Sequence, residues 1–414
     1  MSFRRVIVAG AGLAGLSAAV ALKQAGLAVT IADAAAQAGG RCRSYHDPQL
    51  GMTIDNGNHL VLSGNPAVAR FRAAVGATVP LSGPEHADFR FHDLRNGAGW
   101  TIAINDGAIP WWVLGPSRRV PGSRLGDYLP LVRLLADRDG RIDVPAGPVW
   151  EKLIEPVLLA ALNTAPVEAS ARLAAAVLRE TIGRGGRASR PRIAEPSLAA
   201  AFIDPALAWL AARGSAVGLG RRLRSLAFEA DRVAGLDWGE GAEPVKSDEA
   251  VVLAVPPWVA TALVPGLDAP DDHRAIVNGH FACAPPPGTP PMLGVLGGTA
   301  EWLFAFPDRI SVTVSAADGL VDEDREALAR RFWSDIAAAY RIDAPMPRWQ
   351  IVKEKRATFA ATPEQNAKRP AAATRWTNLF LAGDWTDTGL PAPIEGALRS
   401  GETAARLAVA ARAR

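Results

Sequence analysis

The sequence predicts an α/β fold in which a Rossmann-like nucleotide-binding (GxGxxG) domain is joined to a second, mixed α+β domain. Three observations favour this. A strand, turn, helix and strand pattern opens the chain over residues 6–32, short and wholly apolar strand patterns recur near residues 250 and 380, and the stretches between them change to hairpin and amphipathic-helix patterns. Because strands of one parallel sheet then come from distant segments, both domains are expected to be discontinuous in sequence.

The opening pattern carries a dinucleotide-binding fingerprint, Val6-Ile-Val-Ala-Gly-Ala-Gly-Leu-Ala-Gly15. Gly10 permits the tight turn, Gly12 lets the backbone approach a pyrophosphate, and Gly15 allows the helix to pack closely on the strand. The amides at the start of that helix then face the phosphates. The neighbouring residues counted with this predicted site are Leu13, Ala14 and Ala34.

An acidic residue follows the second strand. Asp33 lies roughly 20 residues after the glycines, where a carboxylate accepts hydrogen bonds from both ribose hydroxyls and repels a 2′-phosphate. A glycine-rich turn in an ordinary α/β unit is the alternative, and the complete strand, turn, helix, strand and acid context argues against it.

Composition excludes several classes of protein. The chain has 414 residues and a formal net charge of only +3, so it lacks the global basic character of a nucleic-acid binder. Its two cysteines, Cys42 and Cys283, have neither disulfide-framework nor metal-ligand spacing, which fits a reducing cytoplasm. No apolar run is long enough for a membrane span, and no cleavable signal pattern precedes the first strand. We therefore expect a cytoplasmic protein, soluble or peripheral to a membrane, with no metal and no nucleic acid partner.

A glycine-rich bend, Gly39-Gly40, follows Asp33 and presents Arg41 near the predicted phosphates. The planar guanidinium of an arginine suits charge-assisted hydrogen bonds to pyrophosphate oxygens. The alternative is a solvated surface arginine on a loop.

These motifs resemble those of a flavoprotein superfamily. The fingerprint followed by Gly39-Gly-Arg-Cys-Arg-Ser44 looks like the monoamine oxidase and phytoene desaturase superfamily, and the stretch Leu379–Gly401 is similar to its second flavin motif. The resemblance covers nearly the whole chain. Three stretches are most similar to the squalene-associated enzymes of hopanoid synthesis, the hydroxysqualene dehydroxylases: Asn56-Gly-Asn-His59, Ala160-Ala-Leu-Asn163-Thr164-Ala-Pro, and Asp387-Thr-Gly-Leu-Pro391.

The resemblance implies non-covalent FAD. In that family pattern Gly383 leaves room for the ribityl-phosphate arm, Asp384 holds a ribityl hydroxyl, and the helix beginning near Ile394 directs its positive end at the flavin N1 and O2 edge. Asp33 stands where Glu is usual and Asn58 where Gln is common, and both changes are conservative. The implied FAD contacts further include Gly40, Arg41, Asn56, Gly57, Asn58, His59, Val217, Pro391, Ala392 and Pro393.

The change in pattern along the chain predicts the domain limits. The FAD-binding domain is expected to comprise 1–70, 196–264 and 370–414, and the substrate-binding domain 71–195 and 265–369. Within the latter, the patterns predict a hairpin over 89–104, an amphipathic helix over 150–161, and a flexible, basic linker over 183–191.

The resemblance also implies the chemistry: reduction of a long isoprenoid allylic alcohol, hydroxysqualene, to squalene, with an apolar tunnel lined by the Trp- and Leu-rich insertion. The leaving hydroxyl needs a proton, and the candidate donors are His59, Glu395 and Asp387. The alternatives are a structural histidine and, for Glu395, a helix-start residue that favours the macrodipole. The electron donor is not identified by the sequence.

Other functions use the same flavin motifs. A carotenoid-type desaturase would run in the opposite redox direction with an external acceptor. An amine oxidase would carry an aromatic residue at the flavin face, where this chain has Leu390. A flavin-binding protein without turnover is a fourth class.

A last expectation concerns membranes. Trp111, Trp112, Val113 and Leu114 stand beside Arg118, Arg119 and Arg124, a combination typical of peripheral docking on the inner face of the cytoplasmic membrane. Packing of both tryptophans in the substrate-domain core is the alternative.

Overall fold

The computed structural model describes residues 3–135 and 139–411. In chain order its strands are β1 (Arg5–Ala9), β2 (Ala28–Ala32), β3 (Ser44–Asp47), β4 (Met52–Asp55), β5 (Leu60–Leu62), β6 (Leu81–Ser82), β7 (Ala87–Asp93), β8 (Ala98–Ile104), β9 (Pro191–Ala194), β10 (Val217–Gly218), β11 (Ser225–Glu229), β12 (Arg232–Asp237), β13 (Ala242–Pro244), β14 (Glu249–Leu253), β15 (His273–Phe281), β16 (Met292–Leu296), β17 (Trp302–Ala305), β18 (Ile310–Val314), β19 (Trp349–Phe359) and β20 (Leu379–Leu381).

Its helices are α1 (Leu13–Gln24), α2 (Pro66–Ala74), α3 (Leu129–Leu134), α4 (Glu155–Leu162), α5 (Ala171–Glu180), α6 (Gly186–Ser189), α7 (Asp204–Ala211), α8 (Pro257–Leu263), α9 (Arg325–Tyr340), α10 (Pro363–Ala367) and α11 (Ile394–Ala411). Single tighter or wider helical turns include Gly40–Cys42, Trp111–Leu114, Leu125–Tyr128, Trp150–Ile154 and Ala199–Ile203.

A five-stranded parallel sheet forms the nucleotide-binding part, in the order β10-β2-β1-β14-β20. The central pairings place Ile7 of β1 beside Thr30 of β2 and Val251 of β14. All residues of β14 are buried, as expected for the middle of a parallel sheet covered on both faces. The predicted α/β class is confirmed, and the sheet gathers strands from four distant parts of the chain.

The first and last helices pack closely together. A Cβ added at Gly401 of α11 would lie 2.2 Å from the carbonyl oxygen of Ala14 in α1, so only glycine permits this approach. The hydroxyl of Ser17 donates to the carbonyl of Leu398 across the same contact. The contact holds the start of the chain, with its fingerprint, against the C-terminal helix.

The second large sheet has seven strands in the order β19-β15-β18-β17-β16-β7-β8, mostly antiparallel. The predicted hairpin is its β7–β8 edge, and the predicted helix over 150–161 is the Trp150–Ile154 turn continued by α4. One face of the sheet packs on α9, and the other contributes to a large apolar cluster shared with α4 and α5. This is the mixed α+β part.

The described residues also form three small sheets. Residues near 225–244, which lie in the proposed FAD-binding domain, form a separate antiparallel sheet β11-β12-β13. In another, β5-β9-β6, the strand β5 of the proposed FAD-binding domain pairs with β9 of the proposed substrate-binding domain. The division into 1–70, 196–264 and 370–414 against 71–195 and 265–369 remains our proposal.

The predicted flexible linker at 183–191 is wrong. It forms a tight helical turn, Ile182–Arg184, and the short α6, and its Gly185 and Gly186 are buried. The amide of Gly186 donates to the carbonyl of Asn105, and a Cβ at Gly185 would lie 2.2 Å from the carbonyl oxygen of Gly107. The glycines therefore serve close packing against the loop after β8 rather than flexibility.

No helix in the described ranges is long and apolar enough to cross a membrane.

Candidate active site

The three fingerprint glycines have different surroundings. Gly10 has φ +110°, and a Cβ there would lie 2.2 Å from the carbonyl oxygen of Ala254. A Cβ at Gly15 would lie 1.9 Å from the carbonyl oxygen of Gly10, which is the close helix–strand contact expected. At Gly12, in contrast, a Cβ would meet nothing within 4 Å. Gly10 and Gly15 therefore serve the protein's own packing, whereas Gly12 borders open space at the N-terminus of α1.

The carboxylate of Asp33 is fixed at the carboxyl end of β2. Its Oδ2 accepts from the amide of Ala11 at 2.6 Å and its Oδ1 from the amide of Ala35 at 2.8 Å. The Asp33 amide donates to Gly218, next to Val217 in the adjoining strand β10. Two hydrogen bonds leave further lone pairs on the carboxylate, so Asp33 remains able to accept from ribose hydroxyls.

Arg41 and Asp384, which belong to the first and last motifs, form an ion pair. Arg41 Nη2 lies 2.6 Å from Asp384 Oδ1, and Arg41 Nη1 donates to the carbonyl of Ala357 in β19 at 2.6 Å. Burial disfavours the charged guanidinium, but the charge and hydrogen bond of the buried Asp384 outweigh it and raise the pKa of Arg41 above its ordinary value. The sequence placed both residues in the flavin site, but nothing in it indicated that they pair with each other.

Residues 56–58 lie against the seven-stranded sheet. Asn56 Nδ2 donates to Glu354 of β19 at 3.1 Å, and Asn58 Nδ2 donates to Thr313 Oγ1 of β18 at 3.1 Å. A Cβ at Gly57 would lie 3.0 Å from the side-chain amide of Asn278. Sequence patterns missed Glu354, Asn278 and Thr313, because they lie inside ordinary strand patterns.

Asn58 also carries a buried acceptor. Its Oδ1 has no hydrogen-bond partner in the described part of the protein. An unpaired buried carbonyl costs free energy, so this atom fits a site in which a ligand donor satisfies it.

The surroundings of His59 favour its neutral form. Its Nδ1 lies 2.9 Å from the carbonyl oxygen of Gly57, which assigns the hydrogen to Nδ1 and leaves Nε2 as an acceptor. Burial lowers the pKa of His59, the charge of Arg41 lowers it further, and the Gly57 carbonyl and Asp384 only partly oppose them. Nε2 of His59 can therefore donate a proton only after it has itself been protonated.

Glu395, a candidate proton donor, takes part in helix packing. Its carboxylate, only 2% exposed, accepts from the amides of Ala67 and Val68 at 3.0 Å, at the N-terminus of α2, and from Arg399 Nε at 2.7 Å. Both oxygens are therefore engaged in joining α2 to α11. The sequence missed this because the contact spans 328 residues.

Asp387 lies at the surface of the same region. It is exposed, and its Oδ1 accepts from the amide of Gly389 at 3.3 Å, a local turn contact. This contact stabilises the loop.

The loop after β20 is held by a residue that the sequence did not indicate. The buried Arg369 donates to the carbonyl of Asp384 at 3.1 Å and to Thr388 Oγ1 at 3.0 Å, and also to the carbonyl of Thr386. Burial lowers the pKa of Arg369 to about 10. Arg369 thus fixes the loop that carries Asp384 and leads to Pro391.

Gly383 packs closely against Trp385. Its φ is +154°, and a Cβ would lie 2.3 Å from Nε1 of Trp385, so the missing side chain makes room for that indole. Beyond the loop, Pro391, Ala392 and Pro393 lead into α11 at Ile394, as predicted.

Asn163 and Thr164 connect the substrate helices to this site. Asn163, with φ +48° at the end of α4, donates to Thr358 Oγ1 at 3.0 Å and accepts from the amide of Ala316 at 2.6 Å. The hydroxyl of Thr164 accepts from the amide of Ala361 at 2.8 Å. These bonds fix the end of β19, whose Ala357 carbonyl binds Arg41.

Within the described ranges, no group of three or more His, Cys, Asp or Glu side chains is arranged to hold a metal ion.

Comparison with known proteins agrees with this geometry. A family model described as flavin containing amine oxidoreductase matches residues 13–409. Hydroxysqualene dehydroxylase from Rhodopseudomonas palustris is 52% identical over 99% of both chains. The protein of the same name from Zymomonas mobilis is 49% identical, again over 99% of both. Zeta-carotene desaturase from Synechocystis is 29% identical, but over only 25% of this chain.

Solved structures share the fold. Cyclohexylamine oxidase from Brevibacterium oxydans has a TM-score of 0.73 at 16% identity, covering 100% of both chains. An oxidoreductase from Methanosarcina mazei has a TM-score of 0.72 at 17% identity, covering 96% of this chain and 98% of the other. From the family match and the full-length relatives, the chain belongs to the flavin containing amine oxidoreductases, within the hydroxysqualene dehydroxylase group, and FAD is its cofactor.

Proposed function

We propose that this enzyme reduces hydroxysqualene to squalene in hopanoid synthesis. The proposal rests on three relatives named hydroxysqualene dehydroxylase, which are 49–52% identical to this chain over 98–99% of its length. The match to a desaturase covers only a quarter of the chain and gives no equal support to the reverse reaction.

The apolar interior suits such a substrate. One apolar cluster includes Trp385 of the C-terminal motif, Leu158 and Leu162 of α4, and Trp302 of the seven-stranded sheet, and Ala392 packs against it. A long hydrocarbon needs an apolar lining from its entry to the reacting carbon. Because the substrate partitions into bilayers, the proposal includes peripheral association with the inner face of the cytoplasmic membrane.

The residues present fit FAD. The open space at Gly12, the amides of α1 and Arg41 would receive the pyrophosphate. Asp33 would bind the adenosine ribose, and Asp384, paired with Arg41, a ribityl hydroxyl. When bound and reduced, FAD would supply the hydride for the new C–H bond and would itself be oxidised, while the C–O bond would break and the hydroxyl would leave as water with a proton from a residue of this chain.

His59 is the candidate that remains for the proton. Glu395 is occupied by α2 and Asp387 is exposed, whereas His59 lies within the electrostatic influence of Arg41 and Asp384. A histidine with a lowered pKa gives up its proton more readily once protonated, which is useful to a leaving hydroxyl. We propose His59 as the donor and Glu395 as a structural residue.

The function is tested by anaerobic spectroscopy. Photoreduced enzyme mixed with hydroxysqualene should regain the oxidised flavin absorbance, with squalene appearing in equal amount, because hydride leaves the flavin as the hydroxyl departs. Squalene added instead serves as the control and should leave the flavin reduced. If the reduced spectrum persists with hydroxysqualene while the oxidised enzyme desaturates a polyene, the desaturase function replaces this one.

The pH dependence tests His59. Since its pKa is lowered below the ordinary 6.5 and the protonated form donates, single-turnover flavin reoxidation should accelerate as the pH falls from neutral toward that lowered pKa. His59→Asn, whose amide can replace the Nδ1 donor, should be about 10²-fold slower and should lose this pH dependence. An unchanged pH profile in His59→Asn would assign the proton to another group.

Glu395→Gln separates structure from catalysis. The side-chain NH₂ group of the glutamine is a donor and would face the backbone N–H groups of Ala67 and Val68, which are donors too. The free energy of unfolding should therefore fall by about 1–3 kcal/mol. Turnover per bound FAD should stay within about twofold, whereas loss of a general acid costs about 10²-fold or more. Glu402→Gln, on the same helix and paired with Arg70 at the surface, is the matched control and should change neither quantity appreciably. A large loss of turnover in stably folded Glu395→Gln would restore its catalytic role.

A further inference from the structure

Exposed apolar side chains are concentrated in one stretch. Residues 109–133 are here called the platform. Of the eleven large apolar residues that are exposed in the described part of the chain, six belong to it: Ile109, Trp111, Leu114, Leu125, Leu129 and Val132. Single exposed apolar residues are normal on a soluble protein, but a group of this size on one segment marks an interaction surface.

The platform is held by residues that face inward. Trp112 is 1% exposed, its amide donates to Asn105 Oδ1 at 3.0 Å, and its ring meets the edge of Tyr128 at 5.7 Å. The hydroxyl of the buried Tyr128 accepts from the amide of Val120 at 3.0 Å. The expectation that Trp112 contacts a membrane is therefore wrong: it belongs to the core, and Trp111, 53% exposed, is the outward-facing tryptophan.

Helix α3 shows the same division between two faces. Leu131 and Leu134 pack on the large apolar cluster, whereas Leu129 and Val132 are each 66% exposed. The exposed residues are thus presented by an ordered element whose other side is already buried.

The platform carries a net positive charge. It holds four arginines, Arg118, Arg119, Arg124 and Arg133, against the single acid Asp127. The Arg118 guanidinium stacks over the Trp111 ring at 5.4 Å and donates to the carbonyl of Ala103 at 3.0 Å. Tryptophan and arginine side by side match the headgroup level of an anionic bilayer, where the ring lies at the interface and the cations meet lipid phosphates.

The platform is also continuous with the interior. Its partly buried Val113, Leu131 and Leu134 pack on the same apolar cluster that Ala392 of the C-terminal flavin motif contacts. Docking of a second protein copy would not require the surface to be continuous with the apolar interior. A substrate that enters from lipid would require that continuity.

We infer that the platform docks this protein on an anionic lipid bilayer, with Trp111, Leu114, Leu129 and Val132 inserted at the interface and the arginines on the headgroups. That the substrate enters through this surface is an inference that rests on the proposed function. Docking itself does not rest on it.

Vesicle flotation tests the inference. FAD-loaded wild type should float with vesicles of phosphatidylglycerol and phosphatidylcholine, and at least tenfold less with pure phosphatidylcholine or at high salt. The variant Leu129→Ser, Val132→Ser should float at least tenfold less with the anionic vesicles. The control variant Val167→Ser, Leu219→Ser, which removes exposed apolar residues outside the platform, should behave as wild type. FAD content and circular dichroism verify the fold of each variant.

Equal flotation of the platform variant and wild type, no flotation of wild type, or equal binding to neutral vesicles would each overturn the inference. Loss of a dimer in the platform variant, seen by gel filtration, without loss of flotation would assign the surface to a second copy. Turnover of hydroxysqualene in detergent micelles should be unchanged by Leu129→Ser, Val132→Ser. If wild type floats but never converts hydroxysqualene, the proposed function fails and docking stands.

Discussion

The ion pair between Arg41 and Asp384 is the contact on which this site depends. It joins residues 343 positions apart, one in the bend after the fingerprint and one after the last strand of the parallel sheet. The same guanidinium binds the carbonyl of Ala357, at the end of a strand of the other large sheet. One side chain thus brings together both flavin motifs and the substrate-side sheet, and Arg369, Asn163 and Thr164 fix the backbone segments that it touches.

Local features could be predicted from the sequence. The strand, turn, helix and strand at the start follow from apolar periodicity and glycine position, and Gly10 and Gly15 have the roles that a local pattern assigns. The hairpin of β7 and β8 and the final helix are likewise encoded by neighbouring residues. Asp33 belongs to the same group because its partners, Ala11 and Ala35, lie within the same βαβ unit.

Long-range partnerships could not be predicted. Glu395 looks like any acidic residue at a helix start until α2 supplies its two amides, and Arg369 lies in a stretch without a motif. Neighbours in sequence can also differ in burial. Trp111 is exposed and Trp112 is buried, because successive residues of a tight helical turn face different directions. The glycines at 185 and 186 suggested flexibility, but they serve backbone packing, which depends on where the loop after β8 lies.

The arrangement suggests how one fold can serve an unreactive hydrocarbon. On the cofactor side Asp33, Arg41 and Asp384 are held by hydrogen bonds, and an apolar cluster that Ala392 contacts extends toward the surface. His59, neutral and close to this boundary, is the one titratable group among the three candidates that is neither locked in helix packing nor exposed at the surface.

The most direct measurement of the central claim is a double-mutant cycle on FAD affinity. Dissociation constants would be determined by fluorescence titration of apoenzyme for wild type, Arg41→Met, Asp384→Asn and the double variant. If the pair assembles the site, each single variant should weaken FAD binding, and the double variant should be at least about tenfold tighter than the product of the two single effects predicts, a coupling of about 1.4 kcal/mol. Strictly additive effects would contradict the account, because the two residues would then contact the cofactor independently.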